Sequence, residues 1–363
     1  MKLASLVGAG CLAAALSVAG TVARADAAGA FSHVVVFGDS LSDQGNAEMK
    51  FGYPPLPPYA SGRFSDGYNW IDILSQQLGV KIKNSLANGT NYAFAFGTTG
   101  SQNTPPPIPF KTETLAQQEQ LYLQHVKKAD PNALYVIEGG GTDILGLLFG
   151  VENDPLLLLE IPSMDATGAQ NIATEAQLLL QNGAKHVLVS NVPDLSLLPI
   201  VTEQSGLGGI IAPSVAQNAA QLWDEDLAND VLPLTKGKKV ILWDFYNTSS
   251  LVLAAAAQLG ITNTTTECVE GYGTTLGVQD QCTQQVEATH AFFDQVHFTT
   301  AGYFGMEQGA YCALGYSTLF KWKHSQCVVT ANNPFIDAGG HPVTAATFGA
   351  WYRSALQNRA TAH

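Results

Sequence analysis

The stretch HVVVFGDSLSDQGN, residues 33–46, joins a short β-branched apolar run to a cluster of glycine and small polar residues. A continuous apolar run of this length, bounded by turn residues, is typical of a strand that is buried on both faces. The polar cluster that follows indicates a tight turn leading from the strand into a helix. The sequence therefore predicts a buried strand over 33–37, with Ser40 just beyond its carboxyl end.

Similar apolar runs recur along the chain and alternate with segments of helical periodicity. This alternation predicts a parallel sheet with crossover helices on both of its faces. We therefore expect an α/β protein with three layers, α/β/α, and a parallel sheet of about five strands. The predicted strands are 33–37, 92–96, 134–137, 186–192 and 239–245, and the predicted helices include 70–78, 115–126, 166–181 and 215–231.

The N-terminus has the features of a secretory signal peptide. A positively charged start and an apolar run of small residues precede Ala23-Arg24-Ala25, which offers a small-residue cleavage site. A membrane anchor is the alternative, but the glycines in this run make a poor spanning helix. We predict that residues 1–25 are removed, that 26–363 form a single domain without a transmembrane segment, and that the protein is secreted or periplasmic.

The charge balance argues against nucleic acid as a partner. Lys and Arg number 17 against 30 Asp and Glu, which gives a net charge of −13. Such a surface repels phosphate backbones and anionic membranes. The acidity alone identifies no partner.

The cysteine pattern predicts disulfides. Four cysteines follow the predicted signal peptide, an even number in a compartment that permits oxidation. Three pairings are possible, and we predict Cys268 with Cys282 and Cys312 with Cys327 because each pair closes a short loop. A zinc site is the alternative, but no Cys-x-x-Cys spacing or adjacent histidine supports it. The sequence therefore predicts no metal, and we expect no cofactor.

Ser40 has the position of a nucleophile at the end of the first predicted strand. A serine hydroxyl attacks a carbonyl carbon efficiently only when an adjacent base takes its proton. Helix capping is the alternative role, because small polar residues are preferred wherever a strand turns into a helix. The general Gly-x-Ser-x-Gly pattern does not apply, because Ser42 occupies its last position.

A candidate base and its carboxylate occur together near the C-terminus, in Asp294-Gln295-Val296-His297. At this spacing the aspartate can accept the imidazole N–H, hold the required tautomer and stabilise the imidazolium that forms when histidine takes the serine proton. Taken alone, either residue could be structural. Combined with Ser40, the pair predicts a serine, histidine and aspartate triad.

These two blocks resemble those of the GDSL (SGNH) hydrolase family of serine esterases and lipases. Further stretches are similar to that family's blocks in the same order: 62–67, 91–93, 191–194 and 243–246. The resemblance implies a flavodoxin-like (SGNH hydrolase) fold. It also implies cleavage of carboxylic esters through an acyl-enzyme on Ser40, with His297 as general base and Asp294 orienting it.

The chain departs from this family where an oxyanion hole is expected. The resemblance implies a glycine N–H and an asparagine side-chain amide as donors, and the position of Ser40 at the turn into the first helix predicts its own backbone N–H as a third. Ala95 stands at the glycine position, with Gly97 as the fallback two residues on, and Thr142 stands at the asparagine position. The shorter threonine hydroxyl predicts a weakened contact. Alternatively, Thr142 and Asp143 only cap the helix that follows.

The sequence leaves the substrate open. Leucine-rich residues 144–149 and 156–159 follow the Thr142 block and could form either an acyl-chain pocket or ordinary core. The resemblance implies an ester substrate, whether a lipid, an acetylated glycan or a small ester. Two alternatives remain: an acyltransferase using the same serine, or a binding protein on a degenerate hydrolase scaffold. The retained triad favours an enzyme.

Overall fold

The computed structural model describes residues 29–100, 111–151, 154–204, 206–237, 239–271, 279–315, 320–323 and 326–329. The predicted signal peptide lies outside these residues. The strands are β1 (Val34–Phe37), β2 (Leu134–Ile137), β3 (His186–Ser190), β4 (Val240–Trp243), β5 (Val269–Glu270), β6 (Gln279–Asp280), β7 (Phe320–Lys323) and β8 (Gln326–Val329). The helices are α1 (Asn46–Phe51), α2 (Trp70–Gln77), α3 (Leu115–His125), α4 (Gly141–Val151), α5 (Ile161–Gln181), α6 (Pro199–Thr202), α7 (Gly206–Thr235), α8 (Phe245–Ala254), α9 (Gln284–Glu287) and α10 (Thr300–Ala313).

The central sheet is parallel, with the strand order β1-β2-β3-β4. In register, Val35 lies beside Tyr135, which lies beside Val187, and Val187 lies beside Val240. Every residue of β1 and β2 is buried. This burial explains why the strands are continuous apolar runs, because both faces of the sheet are covered.

Residues 92–96 do not form the predicted strand. The chain runs beside β1 here, and the N–H groups of Tyr92 and Phe94 donate to the carbonyls of Val36 (2.7 Å) and Gly38 (3.0 Å). The pairing stops because the backbone turns at Phe96, whose φ is 64°. Among the described residues the parallel sheet therefore has four strands rather than about five. The segment nevertheless lies where a flavodoxin-like order, 2-1-3-4-5, has its second strand.

Helices cover the sheet on both faces, which confirms the predicted three-layer α/β/α architecture. Helices α3, α5 and α7 pack against one another and against β1, β3 and β4, whereas α2 and α8 pack against α10, which also contacts β4. On the second face, the rings of Trp70 and Trp243 lie 4.9 Å apart. On the first face, a Cβ at Gly140 (φ 109°) would lie 2.2 Å from the Trp223 ring, so α7 packs too closely for any larger residue there.

The disulfide prediction is confirmed for Cys268 and Cys282, whose sulfurs are bonded at 2.03 Å. Cys312 is also disulfide-bonded. The side chain of Cys327 lies outside the described residues, so the pairing of Cys312 with Cys327 stays a prediction. Within the described part of the chain, no helix combines the length and apolar character that a membrane crossing requires.

Candidate active site

The turn after β1 holds Ser40 at the carboxyl edge of the sheet. The Asp39 side chain accepts the Leu41 N–H at 2.9 Å, and the Asp39 carbonyl accepts the N–H groups of Ser42 and Asp43. A Cβ at Gly38 would lie 2.9 Å from the Glu138 carboxylate, so only glycine fits this close approach. The turn therefore presents the Ser40 hydroxyl from a firmly hydrogen-bonded backbone.

The loop before α10 brings the predicted base to this serine. The Nε2 atom of His297 lies 2.7 Å from the Ser40 hydroxyl oxygen. On the other side of the ring, Nδ1 lies 2.9 Å and 2.8 Å from the two carboxylate oxygens of Asp294. His297 and Asp294 have no exposed surface, and Ser40 is 7% exposed. The structure thus places the three residues in the order that proton transfer from serine requires.

Backbone contacts hold this loop in place on both sides. Phe292 and Phe298 form an isolated antiparallel bridge, and the Phe293 N–H donates to the His297 carbonyl at 2.8 Å. The Phe293 carbonyl accepts the N–H groups of Cys268 (3.0 Å) and Val269 (2.7 Å). The Cys268–Cys282 disulfide therefore lies directly behind the segment that carries Asp294.

Asp294 has an environment suited to an ionised carboxylate. The Tyr59 hydroxyl donates to its Oδ2 at 2.7 Å, and the backbone N–H groups of Val296 and His297 donate to its Oδ1. Burial raises the pKa of Asp294, but the charge of His297 and these hydrogen bonds outweigh burial and hold the pKa below its ordinary value. The proline-rich sequence around Tyr59 carried no signal that this hydroxyl would reach Asp294.

The 62–67 block contacts His297 and the segment that follows it. Ser65 donates to the Phe298 carbonyl at 3.0 Å, and Asp66 accepts the Thr300 N–H at the start of α10. The Phe64 ring lies 4.9 Å from the His297 ring. The 62–67 block therefore packs against the imidazole and fixes the first turn of α10. These contacts explain why it occurs together with the Ser40 and His297 blocks.

A pocket of about 30 Å³ opens above Ser40. Its lining includes Ser40, Asp39 and, at the N-terminus of α4, Gly141 and Thr142. The Ser40 backbone N–H has no acceptor among the described residues. The Thr142 hydroxyl faces the pocket but donates to Asp39 Oδ2 at 3.2 Å. Two of the predicted oxyanion donors, Ser40 and Thr142, are thus brought to the pocket, and one of them already has an acceptor.

The structure does not bring Ala95 or Gly97 to this pocket. The Ala95 N–H donates to the Asp43 carboxylate at 2.9 Å, and the Gly97 N–H donates to the Phe94 carbonyl at 3.0 Å. Both amides are therefore occupied, because the chain turns at Phe96 where a second strand was expected. The expectation that either amide completes an oxyanion hole does not fit this geometry.

Two buried carboxyl groups, those of Asp39 and Glu138, lie next to the Ser40 turn and were not singled out from the sequence. Burial raises the pKa of Glu138 well above its ordinary value, and the nearby Asp39 charge raises it further. Burial also raises the pKa of Asp39, against the opposing effects of the Leu41 N–H, the His297 charge and Thr142. Glu138 accepts the Ser42 hydroxyl at 2.8 Å. Both groups therefore favour the protonated state more strongly than exposed carboxyls do.

Known proteins provide independent comparisons. The chain matches the family described as GDSL-like Lipase/Acylhydrolase over residues 34–306. It is 30% identical over 259 residues to a phosphatidylcholine-sterol acyltransferase from Aeromonas hydrophila, covering 70% of each protein. It is 30% identical over 181 residues to Lipase 1 from Photorhabdus luminescens, covering 48% of this chain but 24% of that protein. The solved structure of an extracellular lipase from Streptomyces rimosus has a TM-score of 0.42 and 16% identity, covering 79% of this chain and 99% of that one.

The family match contains both sequence blocks on which the predicted resemblance rests. It begins in β1, six residues before Ser40, and extends through His297 into α10. It confirms the family predicted from the sequence and, with it, the class of carboxylic ester hydrolases. The chain belongs to the GDSL-like lipase/acylhydrolase family.

Proposed function

We propose that the protein hydrolyses carboxylic esters through an acyl-enzyme formed on Ser40. The observation that carries this proposal is the 2.7 Å contact between the Ser40 hydroxyl and His297 Nε2. In the first step, His297 takes the hydroxyl proton as the serine oxygen attacks the ester carbonyl, and it then returns this proton to the departing alcohol. A water molecule activated by the same histidine then releases the acid and regenerates Ser40.

Asp294 has the role of orienting His297 in this proposal. Its carboxylate accepts a hydrogen bond from the Nδ1–H group, so that Nε2 presents a lone pair to the serine. A carboxylate held ionised by Tyr59 and two backbone N–H groups also stabilises the imidazolium that forms during attack. The proton itself stays on the histidine.

For the oxyanion, we propose the backbone N–H of Ser40 together with that of Gly141, which lines the pocket at the start of α4, because the next amide, that of Thr142, already donates to the Asp39 carboxylate. First-turn N–H groups have no acceptor inside their own helix, and they point toward the negative charge that develops on the carbonyl oxygen. The Thr142 hydroxyl is a weaker third donor because it is shared with Asp39.

An acyltransferase is the second candidate, favoured by the similarity to the Aeromonas hydrophila acyltransferase. The two functions share the acyl-enzyme and differ in whether water or an alcohol resolves it. Incubation with an ester and a long-chain alcohol distinguishes them. A new alkyl ester at the expense of free acid indicates transfer, and unchanged acid release indicates hydrolysis.

We further propose that the protein is exported and that its substrate is an extracellular or periplasmic ester, since residues 1–25 have a signal-peptide pattern. Expression of the full chain in a bacterial host, followed by N-terminal sequencing of the protein outside the cytoplasm, tests this. A start at residue 26 supports the proposal. An uncleaved protein that stays in the cytoplasm contradicts it.

The catalytic proposal is tested by comparing wild type with Ser40→Ala on a chromogenic butyrate ester. Removing the nucleophile lowers kcat by at least about a thousandfold. Ser61→Ala is the matched control, because that hydroxyl contacts Glu48 away from the triad. Activity that persists in Ser40→Ala would remove the serine mechanism.

A further inference from the structure

A second cavity lies next to the small pocket above Ser40. It has a volume of about 430 Å³ and is formed by α4, Leu158, α6 and the first half of α7. Its walls include Leu148, Phe149, Val201 and Val215. Among the described residues of the lining, Gln204 is the one with a polar side chain and none is charged. We call this cavity the α4–α7 groove.

The α4–α7 groove adjoins the pocket above Ser40, and the two cavities share part of their walls. Leu145 lines both cavities. Helix α4 begins with Gly141 and Thr142 at the pocket and continues with Leu148 and Phe149 in the groove. On the opposite wall, Leu198 lines the pocket and the adjacent α6 residues line the groove.

The dimensions of the two cavities differ in a way that limits what each can hold. The pocket above Ser40, at about 30 Å³, is far smaller than the groove of about 430 Å³. A long acyl group on Ser40 must therefore extend beyond the pocket. From Thr142 to Phe149, α4 extends roughly 10 Å at its rise per residue, which is about the length of an eight-carbon chain. A chain that follows α4 from Ser40 thus enters the groove.

The mouth of the groove is also apolar. Ile211 lines it and is 42% exposed. Beside Leu158, the neighbouring Leu156 and Leu159 are 70% and 78% exposed. Exposed apolar side chains on the segment that carries Leu158 suit an apolar ligand better than a charged or sugar ligand.

We propose that the α4–α7 groove binds the acyl chain of the ester attacked by Ser40, so that the enzyme prefers acyl chains of about eight carbons or more. This inference rests on the proposed function. The occupant is an unbranched hydrocarbon chain, because the lining is long, apolar and uncharged. Apolar burial favours long chains, by roughly fourfold in binding for each methylene removed from water.

The test measures kcat/KM for p-nitrophenyl acetate, butyrate, octanoate and dodecanoate. Wild type is expected to favour octanoate and dodecanoate over acetate by at least tenfold. Ala212→Phe places a ring in the groove and should reduce the dodecanoate to acetate ratio at least tenfold. Ser214→Phe is the matched control, since this exposed residue lies on the same helix outside the groove lining, and it should keep the wild-type ratio.

A second measurement covers the case in which Ala212→Phe does not fold. Leu148→Ser makes the wall polar with a smaller side chain, and it should reduce the same ratio. In wild type, a decyl phosphonate should inactivate Ser40 at least tenfold faster than an ethyl phosphonate. Equal inactivation rates, or a ratio unaffected by both groove variants, would overturn the acyl-chain proposal.

The outcomes separate this inference from the catalytic proposal on which it rests. Hydrolysis that depends on Ser40 but shows no preference for long chains ends the groove proposal alone. Hydrolysis that is unaffected by Ser40→Ala, or absent for every ester, ends both proposals.

Discussion

At the level of single residues, the active site depends on side chains that are far apart in the chain. Ser40 and His297 are 257 positions apart, yet their Oγ and Nε2 atoms lie 2.7 Å apart. Tyr59 and Asp294 are separated by 235 positions and share a buried hydrogen bond. Thr142 and Asp39 are separated by 103 positions, and their contact uses the hydroxyl proton that an oxyanion would need. Two substitutions test these contacts.

Tyr59→Phe removes one donor from the Asp294 carboxylate. We expect kcat to fall about tenfold with KM unchanged, because a hydrogen bond to a buried charge contributes about 1.5–3 kcal/mol. Loss of this donor also raises the pKa of Asp294, so the acidic limb of the kcat/KM profile should move to higher pH. Tyr92→Phe is the control, because that hydroxyl contacts His125 instead. An unshifted profile in Tyr59→Phe would contradict the assigned role.

Thr142→Asn supplies a side-chain amide with two N–H donors in place of one hydroxyl. One N–H can satisfy Asp39 while the second reaches the oxyanion, so we expect kcat to rise about tenfold, within the hundredfold to thousandfold contribution of a full donor. Thr142→Val, of nearly the same shape, should lower kcat because no donor remains. Steady-state kinetics on the butyrate ester measures both. An unchanged or lower rate in Thr142→Asn would show that residue 142 does not face the oxyanion.

At the level of elements, the loop that carries Asp294 and His297 is hydrogen-bonded to a small disulfide-linked unit outside the main sheet. Strands β5 and β6 pair antiparallel, and the Cys268–Cys282 disulfide joins this pair. The N–H groups of Cys268 and Val269 both donate to the Phe293 carbonyl, immediately before Asp294. The order of the Asp294 segment therefore depends on β5 as well as on α10.

Replacing both cysteines, in Cys268→Ser with Cys282→Ser, removes this constraint. The disulfide has a sequence separation of 14 residues, and a loop of that size contributes about 3 kcal/mol to the free energy of unfolding. We expect a loss of that order in urea unfolding, together with a lower kcat because the Asp294 segment becomes less ordered. A stability loss with full kcat in the folded variant would show that β5 does not position the loop that carries Asp294 and His297.

At the level of the whole molecule, several carboxyl groups are buried without basic partners. Burial raises the pKa of Glu119 to about 8, that of Asp165 to about 7 and that of Glu307 to about 8. Burial also raises the pKa of Glu175 well above its ordinary value, with the Glu119 charge adding to the effect. Neither carboxylate oxygen of Glu175 or of Asp165 has a hydrogen-bond partner within the described part of the chain. Folding therefore favours the protonated forms of these groups.

This charge distribution predicts a pH dependence of stability. A group whose pKa is raised on folding stabilises the protein below its unfolded pKa, and this contribution is lost as the pH rises through the folded value. We therefore expect the free energy of unfolding to fall between pH 5 and pH 8.5. Asp294 acts in the opposite direction, because its lowered pKa contributes stability that is lost only as the pH falls below its ordinary range.

Glu175→Gln tests this dependence by removing one titrating group from the interior. The decline in stability between pH 5 and pH 8.5 should become smaller, as followed by chemical denaturation at several pH values. Glu225→Gln, an exposed residue of α7, should leave the decline unchanged. A wild-type stability that rises across this interval would contradict the prediction.

The sequence alone was sufficient for the sheet, its covering helices, the family and one disulfide. These depend on local properties: β1 and β2 are apolar runs because both their faces are buried, and α3 begins at the predicted residue with a capping box from Thr114. The Ser40 and His297 blocks were recognisable because the chemistry requires those residue types together. The segment 92–96 was misassigned because its composition favours a strand, whereas the turn at Phe96 depends on packing that periodicity does not record.

Which groups reach the pocket above Ser40, and the presence of the α4–α7 groove beside it, were decided only by the tertiary structure. The Asp43 carboxylate accepts a hydrogen bond from the Ala95 N–H, 52 positions away in the chain. The Asp39 carboxylate accepts one from the Thr142 hydroxyl, 103 positions away. The sequence of 144–149 is compatible with either a core segment or a ligand site. In the structure, α6 and α7 leave a cavity beside this segment. Whether a donor is free, or an apolar face is covered, depends on which groups from distant parts of the chain pack next to it. Composition and spacing describe only local sequence, so they do not predict these contacts.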